Sequence, residues 1–459
     1  MIHRYQKKGL NFVLDVNSGA VHLLDDISYA VSGLLDENMG DTCPQSIIDA
    51  LPDYTADEIR EAYDELYELK KAGQLFAQDD YIDVSRYIPV NAPVKALCLH
   101  VAHDCNLRCK YCFASTGDFG QGRKIMPPEI AKKAIDFVIA RSGMRHNIEV
   151  DFFGGEPLMA WDTVTQTVDY ARSLEEKHNK KFRFTITTNG LLLDEDKRKY
   201  INENMDNCVL SLDGRREVND EFRKTVAGTG SYDTIVPKFK ALVDERDPNL
   251  DYYARGTFTS HNLDFAEDVL SIADAGFDRL SVEPVTADPG CGYDLTEDDL
   301  PKIEAEYDRL TDIMLERKKK GKPFTFFHFM VDLDQGPCVV KRLRGCGAGY
   351  EYVAVTPDGD IYPCHQFVGK EEFKQGSVLD QSFNMDIAQK FAGMNIYSRP
   401  KCQKCWAKFY CSGGCSAANY NMNHDMNDSY DLGCEMERKR LECAIYLKAM
   451  DKICANQSK

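Results

Sequence analysis

The strongest constraint on the fold is a repeated alternation of strand-like and helix-like segments between residues 94 and 325. The strand-like segments are short apolar runs rich in β-branched and aromatic residues, and segments with helical spacing separate them. The six runs are VKALCLHVA, IEVDFF, FRFTIT, CVLSLD, YYARGTFT and RLSVEP. Repeated βα units imply a parallel sheet. Six of them favour an α/β fold with an open, partial (β/α)6 barrel, whose functional site lies at the carboxyl ends of the strands.

Length and charge bound the rest of the chain. Its 459 residues exceed one ordinary hydrophobic core, so we expect two or three domains. The formal net charge of -18 argues against a nucleic-acid partner. The sequence has no apolar run of membrane-spanning length, and its first residues lack the core of a signal peptide. We therefore expect a cytoplasmic protein with neither a nucleic-acid nor a membrane partner.

The 17 cysteines are distributed unevenly. In a reducing cytosol they are better metal ligands than disulfide partners. One group lies directly after the first predicted strand, in CNLRCKYCF: Cys105, Cys109 and Cys112. A second group occupies the last quarter of the chain: Cys338, Cys346, Cys364, Cys402, Cys405, Cys411, Cys415 and Cys434. The remaining cysteines are expected to be ordinary small apolar residues: Cys43, Cys98, Cys208, Cys291, Cys443 and Cys454.

Three ligands without a fourth nearby indicate a reactive site, because a closed structural site takes four protein ligands. Three thiolates leave one iron of a [4Fe-4S] cluster open to a small molecule. A partial zinc site is the alternative. Further motifs at the ends of the next strands favour the cluster: GGEP at 154–157, TTNG at 187–190 and LSLDG at 210–214. The glycines of GGEP allow backbone to approach a ligand closely, and Glu156 can accept from an ammonium.

Residues 1–88 predict a small α+β domain. The runs LNFVLDV and AVHLLD are predicted strands joined by a turn, and helices are predicted near 25–36 and 56–72. Thr55 is the predicted N-cap of the second helix and Gly73 its end. The run QLFAQDDYI is predicted to form a wing. A domain of this kind leaves a strand edge that can accept an extended peptide, with dimerisation or packing as the alternative role.

The cysteine triad and GGEP resemble the cluster motif and the S-adenosylmethionine (SAM) amine motif of radical SAM enzymes, over residues 94–290. The resemblance implies that the open iron binds SAM, which is cleaved to methionine and a hydrogen-abstracting 5'-deoxyadenosyl radical. It also implies an electron donor such as flavodoxin or ferredoxin. Carried over by position, the SAM contacts are Tyr111, Gly154, Gly155, Glu156, Ser211, Arg223 and Arg255. For Arg255 a surface position on its strand is the alternative.

The C-terminal quarter is less regular and is expected to fold around metal. CGAGYEYVAVTPDGDIYPC and CQKCWAKFYCSGGC resemble a SPASM domain, which carries two auxiliary four-iron clusters and brings the total to three. The resemblance implies an outer cluster on Cys402, Cys405, Cys411 and Cys434, and an inner one on Cys346, Cys364 and Cys415. Cys338 either completes the inner cluster or leaves an open iron that could bind a substrate thiol. Two zinc knuckles are the alternative.

Across the whole chain, the sequence resembles radical SAM/SPASM maturases that form thioethers in six-cysteine SCIFF peptides, because MIHRYQKKGLNFVLDVNSGAVHLLDD is similar to their N-terminus. This implies a PqqD-like, winged-helix-like domain at 1–88 that binds the leader of a cysteine-rich precursor peptide. A radical SAM partial barrel at 94–325 and a SPASM domain at 338–459 follow. Sulfatase-type oxidation of cysteine or serine, or another SPASM-type peptide modification, is the alternative activity. His365 argues against the sulfatase type, because those maturases have an acid directly after the cysteine equivalent to Cys364. A binding module without turnover is a further alternative.

Overall fold

The computed structural model describes residues 1–83, 92–333 and 342–457. Cys338 and the predicted domain boundary at residue 88 lie outside these ranges. In the described part of the chain, no helix combines the length and the apolar character needed to cross a membrane.

The N-terminal segment folds into an antiparallel sheet packed on helices. Its elements are β1 (Ile2–Lys7), β2 (Leu10–Asp15), β3 (Val21–Leu24), α1 (Asp26–Ser32), α2 (Gln45–Ala50) and α3 (Ala56–Lys71). The strand order is β1-β2-β3, so among the described residues the outer edges of β1 and β3 have no strand partner. Strand β1 was not predicted, because its sequence IHRYQK is mostly polar.

Local signals at the ends of α3 are confirmed. The Thr55 hydroxyl accepts from the Glu58 backbone N–H at 3.3 Å, and the Glu58 carboxylate accepts from the Thr55 N–H at 2.8 Å. This reciprocal capping box satisfies two backbone donors at the helix start. After α3, Gly73 takes the left-handed φ of +69° that favours glycine.

The predicted wing is wrong, because residues 74–80 contain no strand. Leu75 is buried against the helices instead. Asp79 faces the C-terminal part of the chain, where it accepts from the Tyr397 hydroxyl at 2.6 Å and from the Lys408 ammonium at 2.7 Å. The segment thus ties the N-terminal domain to the cysteine-rich region.

The central region forms the predicted parallel sheet. Its strands are β4 (Ala96–His103), β5 (Leu107–Cys109), β6 (Lys124–Ile125), β7 (Asn147–Gly154), β8 (Lys181–Thr188), β9 (Asn207–Ser211), β10 (Arg223–Thr225), β11 (Asp251–Phe258), β12 (Arg279–Pro284) and β13 (Thr325–Phe326). The order β4-β7-β8-β9-β11-β12 is parallel throughout and reproduces the six predicted strands. The partial (β/α)6 barrel is therefore confirmed.

Helices cover one face of this sheet. They are α4 (Pro128–Arg141), α5 (Trp161–His178), α6 (Glu195–Asn204), α7 (Arg216–Phe222), α8 (Tyr232–Asp244), α9 (Phe265–Asp274) and α10 (Leu300–Lys319). Because side chains alternate along a strand, one face of β8 buries Phe184 and Ile186 while Thr185 and Thr187 lie on the other. The second face of the sheet is the polar barrel interior, where ligands can bind.

The C-terminal region extends the barrel sheet rather than forming a separate small unit. Its elements are β14 (Tyr352–Val355), β15 (Asp360–Tyr362), β16 (Gly376–Ser377), α11 (Met385–Gly393), α12 (Pro400–Gln403), α13 (Lys408–Cys411), α14 (Ser416–Asn423) and α15 (Asp431–Gln457). Strand β14 pairs in parallel with β4, and β15 and β16 continue the sheet. This pairing was not predicted, and it places the cysteine-rich region beside the barrel mouth.

The N-terminal sheet packs against the cysteine-rich region and α15. Phe12 and Leu14 share an apolar cluster with Leu441 and Ile445 of α15. The ring of His3 stacks on the indole of Trp406, with ring centroids 3.7 Å apart. Since Trp406 directly follows Cys405, strand β1 lies next to one of the cysteine loops.

Candidate active site

The three cysteines of the first motif lie in the segment that follows β4 at the carboxyl end of the sheet. Strand β5 carries Cys109 and pairs with β10, so that Cys109 lies opposite Arg223. Every residue predicted to contact the cluster or SAM lines a single cavity there: Cys105, Cys109, Tyr111, Cys112, Gly154, Gly155, Glu156, Ser211, Arg223 and Arg255. Residues separated by up to 150 positions in the sequence thus meet in one place.

The two glycines of GGEP are required by the packing of the cysteine loop. A Cβ atom on Gly154, whose φ is +124°, would lie 2.2 Å from the carbonyl oxygen of Ala102. A Cβ atom on Gly155 would lie 2.1 Å from the carbonyl oxygen of Asp104. From the sequence, these glycines were expected to allow the close approach of a ligand. In the structure, the backbone just before Cys105 lies so close to both glycines that a side chain would not fit there.

Glu156 joins the ends of β7 and β8. Its carboxylate is buried and accepts from the Thr188 hydroxyl at 2.7 Å, the Asn189 N–H at 2.7 Å and the Leu158 N–H at 3.0 Å. A carboxylate offers about four acceptor positions, so these donors use most of them. The Glu156 carboxylate therefore has few acceptor positions left for the predicted contact with an ammonium group. Its observed hydrogen bonds instead hold GGEP and TTNG together.

Beneath the cysteine loop, Tyr111, Asp213 and Arg223 form a buried polar group. The Tyr111 hydroxyl donates to Asp213 at 2.6 Å and accepts from Arg223 at 2.8 Å. The Arg223 guanidinium lies 3.9 Å from the Asp213 carboxylate. Burial raises the pKa of Asp213, while Arg223 and the Tyr111 hydrogen bond act in the opposite direction. Two predicted SAM contacts, Tyr111 and Arg223, are thus oriented by a carboxylate that was not predicted.

On the opposite wall, strands β9, β11 and β12 bring Ser211, Arg255 and Ser281 into one row. Arg255 donates to the Glu283 carboxylate at 2.5 Å, and its side chain is 46% exposed within the cavity wall. Burial favours the protonated form of Glu283, but Arg255 and His328 outweigh it and lower the pKa of that carboxyl. Arg255 therefore lies in the barrel rather than on the outer surface.

His365 directly follows Cys364 and also lines the cavity. Its ring packs against Phe153 and Phe113, with centroids 4.9 and 5.5 Å away, and its Nδ1 lies 3.3 Å from the Tyr352 hydroxyl. Burial, followed by the charge of Arg255, lowers the pKa of His365 to about 4. The imidazole is therefore neutral at pH 7.

The C-terminal cysteines separate into the two predicted groups. Four line a second cavity: Cys402, Cys405, Cys411 and Cys434. The other three lie near one another beside the first cavity: Cys346, Cys364 and Cys415. Burial is the main cause that raises the pKa of the Cys364 thiol, and the neighbouring Cys415 and Cys346 thiols add to the rise. Whether Cys338 joins this group stays a prediction, because it lies outside the described residues.

The thiol groups fit iron–sulfur ligation better than single zinc ions. Thiolates on one zinc ion lie about 2.3 Å from it and must converge tightly. Within residues 1–83, 92–333 and 342–457, no three His, Cys, Asp or Glu side chains converge in this way. Burial raises the pKa of Cys105 to about 12 and of Cys109 to about 11, so a strong positive centre is needed to hold them as thiolates. A cluster of several irons supplies that charge.

Outside these groups, the predicted ordinary cysteines divide by burial. Cys98, Cys208 and Cys443 are buried, as expected of small apolar residues, and Cys43 is half-buried. Cys291 and Cys454 are exposed, contrary to that expectation.

Comparison with known protein families agrees with this architecture. Residues 99–253 match the Radical SAM superfamily, and residues 346–406 match SPASM, an iron-sulfur cluster-binding domain. The chain has a radical SAM domain and a SPASM domain. Together these domains imply SAM and iron–sulfur clusters as cofactors, as the sequence analysis expected.

Similar proteins extend the match. A cysteine-type anaerobic sulfatase-maturating enzyme of Clostridium novyi (strain NT) is 25% identical over 354 residues, which cover 72% of this chain and 90% of the relative. The solved structure of native anSMEcpe with bound AdoMet has a TM-score of 0.64 and 20% identity, and the match covers 80% of this chain and 100% of that one. The crystal structure of Streptococcus suis SuiB bound to precursor peptide SuiA has a TM-score of 0.51 and 17% identity, and the match covers 94% of this chain and 97% of that one. These likenesses establish the radical SAM fold with its C-terminal SPASM domain.

Several residues that line the radical SAM cavity, or that bind its lining residues from behind, were not predicted individually. Asn189 and Asp213 lie in TTNG and LSLDG, so the motifs marked the segments without marking these side chains. Asn189 donates to Asn106 at 2.8 Å and lies 3.5 Å from the Cys105 sulfur. Glu283 is the penultimate residue of the sixth barrel strand, and its position near the carboxyl end of that strand is the sequence signal that could have found it.

Proposed function

We propose that this chain is a peptide maturase that forms intramolecular thioether crosslinks between cysteine sulfurs and carbon atoms of a ribosomally made, cysteine-rich precursor peptide. The observation that carries the proposal is that the inner cysteine group borders the cavity of the cysteine triad. Cys364 is adjacent to the cavity residue His365, and Glu283 is among the charges near Cys415. A peptide in this cavity would contact both groups at once.

The proposed cofactors are SAM and three [4Fe-4S] clusters. Cys105, Cys109 and Cys112 would hold the first, and the outer and inner groups of the SPASM domain would hold the others. A reduced cluster with SAM supplies a hydrogen-abstracting radical. We also propose a cytoplasmic location and a flavodoxin or ferredoxin as electron donor, since this chemistry needs a low-potential reductant.

The chain's own residues would orient SAM and the peptide. Arg223 is held by Tyr111 and Asp213 with its guanidinium at the cavity wall, where it is available to a carboxylate. Arg255 offers a second cation, partly balanced by Glu283. The aromatic rings beside His365 give that side of the cavity an apolar lining. Positioning and exclusion of water are the protein's contribution to chemistry carried by a cofactor.

The N-terminal domain is proposed to bind the leader peptide. Strand β3 has a free outer edge among the described residues, and Leu23 on it is 42% exposed. An added strand gains backbone hydrogen bonds at such an edge, and exposed apolar side chains give it selectivity. The contacts of β1 with Trp406 fix this edge relative to the cavity. The precursor peptide bound to the similar SuiB structure supports a peptide partner.

The test is anaerobic co-expression with a cysteine-rich precursor peptide, followed by thiol alkylation and tandem mass spectrometry. Each thioether removes two hydrogens from the peptide and protects one cysteine from alkylation. A peptide that keeps its mass and all its free thiols contradicts the proposal.

Sulfatase-type oxidation is the second candidate, supported by the Clostridium novyi relative. It differs in outcome, because formylglycine gives a carbonyl and no carbon–sulfur crosslink. His365 argues against this candidate, because the sulfatase-type enzymes have an acid at that position. A binding module without turnover would produce no 5'-deoxyadenosine under reducing, anaerobic conditions.

A further inference from the structure

Arg399 is a buried arginine at the start of the outer cysteine loop. Arg399 is only 3% exposed and directly precedes α12. The backbone carbonyl of Arg399 accepts from the Cys402 N–H at 3.0 Å, so the residue is fixed at the base of the first cysteine pair. Burying a guanidinium is unfavourable unless other groups compensate its charge.

The guanidinium extends into the turn that links the two cysteine groups. Its Nη1 donates to the carbonyl oxygen of Gly413 at 2.6 Å, and its Nη2 donates to the Ser416 hydroxyl at 3.0 Å. Gly413 lies between Cys411 of the outer group and Cys415 of the inner group, and Ser416 directly follows Cys415. A Cβ atom on Gly413 would lie 2.2 Å from Nη1, so this turn is shaped around the guanidinium.

The charge of Arg399 has no carboxylate partner in the described part of the chain. Its Nε has no hydrogen-bond acceptor there, although it is buried. Burial lowers the pKa of the guanidinium, and cysteines of both sets favour its charged form: Cys402, Cys411, Cys415 and Cys434. Two arginines of α15 differ, because Arg438 pairs with Glu435 and Arg440 pairs with Glu437. Arg399 is thus a fixed cation placed between two sets of thiols.

We propose that Arg399 is a shared counterion of the two auxiliary cluster sites and holds the reduction potentials of both above the values they would have without it. The inference rests on the proposed ligand sets of those sites. Thiolate ligands make each site anionic, and each added electron adds negative charge. A fixed cation between them therefore favours the reduced form of both, because net charge near a cluster sets its potential. Arg399 is a positioning residue: it would touch neither substrate nor SAM.

The experiment uses the anaerobically reconstituted full-length protein. Iron content and a potentiometric titration followed by electron paramagnetic resonance are measured for wild type, Arg399→Gln and Arg399→Lys. We expect Arg399→Gln to lower the reduction potentials of both auxiliary clusters. At a fixed solution potential, the ratio of reduced to oxidised cluster should fall at least tenfold, which corresponds to about 59 mV for one electron. Arg399→Lys keeps the charge and should stay near wild type. The signal of the Cys105 site should not move in either variant.

Arg438→Gln is the matched control. Its guanidinium lies 3.9 Å from the Cys405 sulfur but is already paired with Glu435. We expect it to shift the outer site alone, and by less. If Arg399→Gln lost auxiliary iron while Arg399→Lys kept it, the need for charge would be supported.

Two results would overturn the proposal. One is full iron with unchanged auxiliary potentials in Arg399→Gln. The other is equal loss of iron in the Gln and Lys variants, which would assign Arg399 to holding the turn rather than to charge. If the wild-type protein held only one cluster, the proposed ligand sets themselves would be refuted. The iron content of the wild type therefore separates a failure of the ligand sets from a failure of the Arg399 proposal.

Discussion

Removing the buried carboxylate of Asp213 should destabilise the barrel strongly. Asp213 is 1% exposed and lies 3.9 Å from the guanidinium of Arg223, whose residue is 8% exposed. At an effective dielectric constant of about 20, two charges at that distance attract by about 4 kcal/mol. Breaking a buried pair by removing one partner costs about 3–5 kcal/mol, because the other charge stays buried without compensation. We therefore expect Asp213→Asn to lower the free energy of unfolding by about 3–5 kcal/mol.

The assay uses one of the two tryptophans of the chain. Trp161 lies at the start of α5 and packs edge-on against Tyr200, with ring centroids 5.2 Å apart, so its fluorescence reports on the barrel. Urea unfolding is followed in a Trp406→Phe background. The control is Glu245→Gln, which removes an exposed carboxylate bound to Arg198 at 2.7 and 3.0 Å. We expect the control to cost at most about 1 kcal/mol.

The refuting result concerns the other half of the pair. If an uncompensated charge is the cause, replacing both residues, as in Asp213→Leu with Arg223→Met, should destabilise the barrel less than Asp213→Asn alone. The reasoning would be refuted if the double variant lost at least as much free energy of unfolding as the Asp213→Leu and Arg223→Met single variants lose together. It would also be refuted by an Asp213→Asn protein that unfolds like the control.

Three further predictions follow from single positions. Gly155→Ala should lower iron bound at the triad site, because its Cβ would meet a backbone oxygen at 2.1 Å, whereas Gly393→Ala, with nothing within 4 Å, should keep full iron. Leu23→Asp should raise KM for leader-bearing peptide without slowing uncoupled SAM cleavage. Leu34 is similarly exposed but lies off the sheet, so Leu34→Asp should leave KM unchanged. Equal effects of the two substitutions on KM would contradict leader binding at β3. Burial raises the pKa of Asp151 to about 7, so its protonation stabilises the fold fully below about pH 4, and this contribution is lost as the pH rises through about 7. Asp151→Asn should therefore flatten the pH dependence of urea unfolding between about pH 4 and 7, and an unchanged slope would contradict this.

Local signals carried the sequence-based prediction of the fold. Alternating apolar residues predicted the six barrel strands, and Thr55 and Gly73 marked the ends of α3, because capping and strand burial act within a few residues. The spacing of Cys105, Cys109 and Cys112 also predicted one reactive group, whereas the division of the C-terminal cysteines into two groups came from the resemblance to SPASM domains. The strands, the helix ends and the first cysteine group depend on residue type and short separation, so one sequence was enough to find them.

Long-range pairing could not be predicted in the same way. Strand β14 joins β4 across about 250 residues, and no local pattern in YVAV specifies that partner. The predicted wing failed for the same reason, since Asp79 finds its partners beyond residue 390. Arg399 and Asp213 looked like ordinary polar residues in the sequence. Their roles follow from burial among thiols or beside another charge, which only the folded chain reveals.

The central claim is that one cavity couples SAM cleavage to carbon–sulfur bond formation in a peptide. The most direct measurement quantifies 5'-deoxyadenosine and crosslinked peptide in the same anaerobic reaction, for wild type and for a variant with Cys105, Cys109 and Cys112 replaced by alanine. We expect wild type to form both products and the variant to form neither, while the variant retains iron in the two SPASM groups. Peptide crosslinking by the triple variant, or 5'-deoxyadenosine formed by wild type with a precursor peptide that remains unmodified, would contradict the account.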